Sequence, residues 1–146
     1  MNQEAYELLA RIYALRDPIA QTTFYVGFTS STIHKRMKQH ISKRELVSGG
    51  PFRGEPTLKS LWIEELKQLG QQPKIVQLEC FGARAWTKRL DLVGEEFEWI
   101  ARFIRLGYPL LNSGFGRDSK AVENRLAWAE DHPERRLASI ILQRHS

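Results

Sequence analysis

Two residues on one predicted helix, Arg36 and His40, have the types and the spacing to act on a phosphate group. They are four positions apart, so they lie on the same side of a helix. On a helical wheel, Ile33, Met37 and Ile41 form an apolar stripe, and Arg36 and His40 fall beside it. A base and a histidine at the edge of a buried face suit a cleft that holds a phosphate against the helix. A hydrogen-bonded core histidine and an ordinary surface arginine are the alternative.

A later predicted helix carries acidic residues in a comparable position. Its predicted apolar stripe consists of Val93, Phe97, Ile100 and Ile104. Glu96 flanks one edge of this stripe, whereas Glu98 lies further round on the other edge and Glu95 points outward. A carboxylate at that edge could hold a hard cation next to the arginine. Ordinary helix-surface carboxylates are the alternative.

The net charge of the chain is concentrated around the first of these helices. The 146 residues contain 22 Lys and Arg against 17 Asp and Glu, a formal net charge of +5. The segment 30–54 holds the whole excess, and the remaining bases and acids cancel. The bases of this segment are Lys35, Arg36, Lys38, Lys43, Arg44 and Arg53. A localised basic patch predicts a polyanionic partner, most simply nucleic acid, with a merely solvated helix face as the alternative.

Composition excludes several other classes of protein. A hydrophobic fraction of 42% is typical of a packed globular domain and not of a disordered chain. No apolar run approaches the roughly 18 residues of a membrane helix, and two acids precede the first base, which predicts neither a secretory nor a mitochondrial leader. The single cysteine, Cys80, excludes an internal disulfide and a Cys-cluster zinc site. We therefore expect a cytoplasmic protein with no membrane association.

An α+β fold with a small, mixed or antiparallel three-stranded sheet is predicted to position these residues. Segments 11–16 and 23–28, joined by a turn at Asp17-Pro18, are predicted to form a hairpin, and residues 74–81 a third strand. Helices are predicted over residues 2–10, 33–43, 57–69, 85–106 and from 119 onward with an interruption near Pro133. The glycine-rich segment 44–56 is predicted to be a loop.

The motifs along the chain resemble those of the GIY-YIG nuclease family. The tripeptide Arg11-Ile12-Tyr13 stands where the family has Gly-Ile-Tyr, and Tyr25-Val26-Gly27 stands for Tyr-Ile-Gly. Arg36 and His40 fill the R-x3-H element. Residues 96–100 (EFEWI) resemble the family's E-x-x-W-I segment, and residues 110–112 (LLN) match its closing L-x-N. The resemblance covers roughly residues 10–117, and its one plain departure is Arg11 in place of the first glycine.

The resemblance implies a metal-dependent endonuclease that hydrolyses DNA phosphodiester bonds. One divalent metal, Mg²⁺ or Mn²⁺, would be bound by Glu96, which the distance to Trp99 favours over Glu95 and Glu98. Arg36 would stabilise charge on the phosphoryl oxygens. Tyr13 would act as general base toward the attacking water, with its pKa lowered by the metal and nearby cations.

The remaining implied roles concern orientation and binding. Tyr25 and His40 would orient water and phosphate or share a proton relay, and Asn112 would hold the site together through side-chain hydrogen bonds. The other residues of the basic patch, Lys35, Lys38, Lys43, Arg44 and Arg53, would bind the DNA backbone. Our hypothesis for the 44–56 loop is that it folds over that backbone beside the site.

We expect a nuclease domain over residues 1–117 and a helical tail over residues 118–146 that packs on the same domain. Two alternatives to the leading function stay open. One is a non-catalytic nucleic-acid-binding module that retains the fold, and the other is a nuclease directed at RNA. A double-strand cut from one site per chain would require a homodimer or two successive nicks.

Overall fold

The fold is α+β, with a three-stranded antiparallel sheet flanked by helices, as predicted from the sequence. It is given by a computed structural model that describes residues 10–42, 56–82, 89–115 and 118–145. The helix predicted over residues 2–10 lies outside these ranges except for Ala10, which begins the first strand. The loop predicted over residues 44–56 also lies outside them, apart from Pro56.

The sheet has the strand order β2-β1-β3, so that β1 is central. Strands β1 (Ala10–Asp17) and β2 (Thr22–Thr29) form the predicted hairpin, and β3 (Lys74–Phe81) pairs antiparallel with the other edge of β1. The hairpin turn is held by Asp17, whose Oδ1 accepts backbone hydrogen bonds in the loop that follows it. The single cysteine, Cys80, is exposed on β3 and pairs with Arg11 across the sheet.

The helices of the described ranges agree with the sequence pattern to within a few residues at the ends that can be compared. Residues 85–88, where the helix over 85–106 was predicted to begin, lie outside those ranges. They are α1 (Ile33–Ile41), α2 (Leu58–Gln68), α3 (Arg89–Arg105), α4 (Ser119–Asp131) and α5 (Arg136–Arg144). Thr32 and Thr57 cap α1 and α2, because each side chain accepts a hydrogen bond from the backbone N–H three residues on. None of these helices has the length and apolarity that a bilayer span requires.

The core is divided between the two faces of the sheet. Ile12 and Tyr13, which are neighbours on β1, belong to different buried clusters because side chains alternate across a strand. The cluster around Tyr13 includes Met37 of α1 together with residues of α2, α4 and α5. The cluster around Ile12 includes Ile100 and Ile104 of α3. The sheet therefore lies between the buried residues of α1 and those of α3.

The predicted apolar stripe of α3 is partly wrong. Ile100 and Ile104 are buried, but Val93 is 36% exposed and Phe97 is 50% exposed. Leu92 is buried instead, and Trp99 and Phe103 pack against the same cluster. The buried sector of α3 is therefore rotated toward the side that carries Glu96, since Leu92, Glu96, Trp99 and Phe103 share one helical face at about 100° per residue.

One buried arginine joins the C-terminal helices to the sheet. Arg135, which directly precedes α5, places Nη2 2.7 Å from Asp17 Oδ2 at the end of β1 and Nε 2.5 Å from Glu65 Oε2 on α2. Trp62 Nε1 donates to Asp17, and the Leu137 N–H donates to Glu65. Burial acts to raise the pKa of Asp17, but hydrogen bonds led by that from Arg135 hold this pKa below its usual range.

Candidate active site

Three of the residues singled out in the sequence meet at one oxygen atom. Tyr13 points from the central strand toward α1, where its hydroxyl lies 2.6 Å from His40 Nε2 and accepts a hydrogen bond from Arg36 Nε at 3.1 Å. Tyr13 and His40 are fully buried, and Arg36 is partly buried. Arg36 is anchored a second time, because its Nη1 donates to Gln39 Oε1 at 2.9 Å. The helical spacing of Arg36 and His40 thus puts both side chains on the face that meets the sheet.

The second tyrosine of the motif borders the same histidine. The ring centroids of Tyr25 and His40 are 5.4 Å apart, and those of Tyr25 and Tyr13 are 6.3 Å apart. Tyr25 pairs with Leu15 on β1, whereas Tyr13 pairs with Gly27 on β2. The two tyrosines therefore lie on the same face of adjacent strands, with the histidine ring packed edge-on against both.

Lys59 also contacts this cluster, although it is absent from the residues predicted above. Its Nζ lies 3.3 Å from His40 Nδ1 and 4.9 Å from the centre of the Tyr25 ring. A signal for it exists in the sequence, because Lys59 shares the apolar face of α2 with Trp62, Ile63 and Leu66. Arg36 and His40 were singled out because they are polar residues beside the apolar face of a helix, and Lys59 meets the same criterion.

The environment of the cluster sets the protonation of His40. Burial, together with the positive charges of Lys59 and Arg36, lowers the pKa of His40 to about 3. The ring is therefore neutral at physiological pH and carries a single proton on one of its two nitrogens. A neutral histidine beside a tyrosine hydroxyl can either donate to that oxygen or accept from it.

Tyr13 differs from the expectation for its pKa. Burial raises the pKa of Tyr13 above its ordinary value, and the nearby Tyr25 and Glu96 raise it further. Arg36 acts in the predicted direction and lowers this pKa, but its effect is smaller than that of burial. The net direction is upward because the hydroxyl sits inside the protein, where a phenolate is poorly solvated.

Glu96 is the carboxylate that acts electrostatically on Tyr13. It is partly buried, as is Glu95, whereas Glu98 is exposed. Burial raises the pKa of Glu96, which is the expected behaviour of a carboxylate without enough compensating positive charge. This carboxylate fits one ligand of a magnesium site, because Mg²⁺ is often bound by one or two carboxylates with water and phosphate oxygens completing its shell. Within the described ranges no group of three or more His, Cys, Asp or Glu side chains converges as a metal cage.

The Asn112 side chain pairs with the backbone of β2 through one donated and one accepted hydrogen bond, as a neighbouring strand does. Its Nδ2 donates to Val26 O at 2.7 Å, and its Oδ1 accepts from Val26 N at 3.2 Å. Val26 lies between Tyr25 and Gly27, so the contact fixes the segment after α3 against the second motif. Asn112 contacts the backbone that carries the tyrosine and not the Tyr13 hydroxyl.

The structure describes only two of the remaining candidate residues. Lys35 and Lys38 are exposed on α1, and Lys43, Arg44 and Arg53 lie outside the described residues. Arg11, which replaces the motif glycine, is half-buried and donates from Nη1 to Ser31 O at 3.3 Å. The arginine is therefore accommodated by a contact with the turn that precedes α1.

Comparison of the chain with protein-family models, with curated proteins and with solved structures finds no match. The resemblance to GIY-YIG nucleases depends on the motif residues alone.

Proposed function

We propose that this protein is a metal-dependent endonuclease of the GIY-YIG type that hydrolyses DNA phosphodiester bonds. One observation carries the proposal: Arg36 and His40, from one helix, contact the hydroxyl oxygen of Tyr13, from the central strand. A polyanion-binding surface alone has no need of a buried tyrosine oxygen between an arginine and a histidine side chain. A site that moves a proton beside a phosphate does need such an arrangement.

In the proposed reaction, the Tyr13 hydroxyl first releases its own proton to solvent. The resulting phenolate then takes a proton from the water molecule that attacks the phosphorus atom. The bond from phosphorus to the 3′-oxygen breaks, and the leaving oxygen takes a proton from solvent. Arg36 is held by Tyr13 and Gln39, so its positive charge is positioned before substrate arrives. It would stabilise the charge that develops on the phosphoryl oxygens.

Glu96 is the residue proposed to hold Mg²⁺ or Mn²⁺, which when bound would polarise the phosphate and stabilise the leaving 3′-oxygen. Asn112 keeps the second motif in register with the rest of the site. Exposed Lys35 and Lys38 are proposed to bind the DNA backbone, as are Lys43, Arg44 and Arg53. A cytoplasmic location and a homodimer stay predictions.

The test is incubation of plasmid DNA, single-stranded DNA and RNA with the folded protein, in Mg²⁺ or in EDTA. We expect metal-dependent nicking of DNA, and a loss on the order of 100-fold or more in Glu96→Gln and Arg36→Ala, as for removal of a group that stabilises transition-state charge. Glu95→Gln and Glu98→Gln are matched controls that should retain cleavage.

Binding without cleavage of any substrate would instead identify the non-catalytic module. Cleavage of RNA alone would identify the RNA-directed enzyme. Cleavage that survives Glu96→Gln, or that proceeds in EDTA, would contradict the proposed metal site.

A further inference from the structure

We propose that Lys59 is a positioning residue that fixes the tautomer of His40, so that the histidine donates a hydrogen bond to the Tyr13 oxygen. The catalytic part of this inference rests on the proposed nuclease function. The tautomer itself can be tested without it.

The Nδ1 atom of His40 determines where the ring proton lies. Lys59 Nζ lies 3.3 Å from this nitrogen. A lysine ammonium group has three donors and no acceptor, so the histidine nitrogen must be the acceptor. A neutral imidazole has one N–H and one bare nitrogen. With Nδ1 accepting from Lys59, the ring proton therefore lies on Nε2.

The position of that proton sets the direction of the next hydrogen bond. His40 Nε2 lies 2.6 Å from the Tyr13 oxygen, and the N–H on Nε2 donates to that oxygen. Arg36 Nε donates to the same oxygen. The Tyr13 oxygen thus accepts two hydrogen bonds, and its own O–H points away from both donors. Both donors also favour the phenolate, the form that can take a proton from water.

Without Lys59 the opposite arrangement becomes available. If the ring proton moves to Nδ1, Nε2 becomes an acceptor and the Tyr13 O–H turns toward it. The tyrosine oxygen then loses one of its two donors, and its proton is committed to the histidine. The Tyr25 ring lies beneath the ammonium group at 4.9 Å from its centroid, so this contact helps to hold the lysine in place.

The experiment measures the tautomer of His40 directly through the ¹⁵N chemical shifts of its ring nitrogens at neutral pH. The variant His40→Gln identifies its signals among those of the four histidines. We expect the proton on Nε2 in the native protein, and a shift toward Nδ1 in Lys59→Met, which has no donor. Lys59→Gln, which retains an N–H donor, should keep the native tautomer. Lys67→Met, an exposed position on the same helix, is the control.

The same variants are compared for DNA cleavage. General acid–base assistance is worth about 100- to 10,000-fold, so we expect kcat of Lys59→Met to fall by about 10-fold or more, with partial recovery in Lys59→Gln. A proton on Nδ1 in the native protein, or an unchanged tautomer in Lys59→Met, overturns the inference. An altered tautomer with unchanged kcat overturns the positioning role. If the native protein cleaves nothing, the nuclease proposal fails, whereas a tautomer that depends on Lys59 still supports the assignment of Lys59.

Discussion

At the scale of single residues, the Tyr13 hydroxyl occupies space that only a glycine leaves open. Tyr13 and Gly27 are paired across β1 and β2. A Cβ atom placed on Gly27 would overlap the Tyr13 hydroxyl and crowd the Tyr25 ring, both well inside ordinary contact distance. The last residue of the Tyr25-Val26-Gly27 motif therefore has a steric role. Because glycine has no side chain, the Tyr13 ring can pack directly against the backbone of β2 at Gly27.

We expect Gly27→Ala to displace the Tyr13 hydroxyl from His40 and Arg36. Overpacking of this kind costs about 1–3 kcal/mol in free energy of unfolding, and we expect cleavage to fall by much more than stability does. Gly94→Ala is the matched control, since a Cβ there meets nothing within 4 Å and alanine favours a helix. Chemical denaturation and a nicking assay measure the two effects. An active Gly27→Ala protein would contradict the steric role.

The buried histidine should make stability depend on pH. The folded-state pKa of His40 is about 3, below its ordinary value of 6.5. Between these values the unfolded chain binds a proton that the folded chain does not, so stability is lost as pH falls from about 6.5 toward 3. The slope from this residue is up to about 1.4 kcal/mol per pH unit.

We expect the free energy of unfolding of the native protein to fall more steeply over this range than that of His40→Gln. Above pH 6.5 the free energies of unfolding of the two proteins should change in parallel with pH. Urea unfolding at several pH values measures the difference. Equal slopes below pH 6.5 would show that the histidine protonates freely in the folded state.

Among the helices and strands, local signals were sufficient for the hairpin, the third strand and the starts of α1, α2 and α4. Thr32 and Thr57 cap their helices, which is the usual role of a threonine directly before an amphipathic helical segment. The orientation of α3 was not predictable in the same way, because its apolar residues spread over more of the wheel than the sheet covers. Val93 and Phe97 satisfied the pattern, but packing against Trp99 and Phe103 decided which side is buried.

Asn112 fastens the segment after α3 to β2, because its side chain pairs with both polar backbone groups of Val26. Asn112→Ala leaves this N–H and C=O without their side-chain partner. We expect a loss of about 1–3 kcal/mol in free energy of unfolding, and weaker cleavage because β2 carries Tyr25. The neighbouring exposed Ser113→Ala is the control. Thermal or urea unfolding measures the loss, and a change below about 0.5 kcal/mol, the range of ordinary surface substitutions, would contradict a fastening role.

At the scale of the whole molecule, the buried contacts of Arg135 connect three elements that are far apart in the sequence. Arg135→Met removes the positive charge between Asp17 and Glu65 and leaves two buried carboxylates. Removing one partner of a buried ion pair typically costs about 3–5 kcal/mol. We expect a loss of that size in urea unfolding, whereas the exposed neighbour Arg136→Met should stay within about 0.5 kcal/mol. Similar stability of the two variants would contradict this role of Arg135.

The candidate site was predictable only in part, because its residues come together from several helices and strands. Arg36 and His40 were identifiable because one helix carries both at a fixed spacing. Lys59 reaches the same histidine from another helix, and no local period links positions 40 and 59. The resemblance to a known family named Tyr13 and Glu96, but the excess burial of the tyrosine, which raises its pKa, depends on how several elements pack together.

The exposed cysteine on β3 offers a practical consequence. Cys80 is the sole cysteine of the chain and lies on a strand adjacent to the one that carries Tyr13. A thiol-reactive fluorophore would therefore attach at one known position, with no cysteine to remove beforehand and every motif residue unchanged. Energy transfer from that dye to an end-labelled duplex would report from which side DNA approaches the sheet, even in a variant that does not cut it.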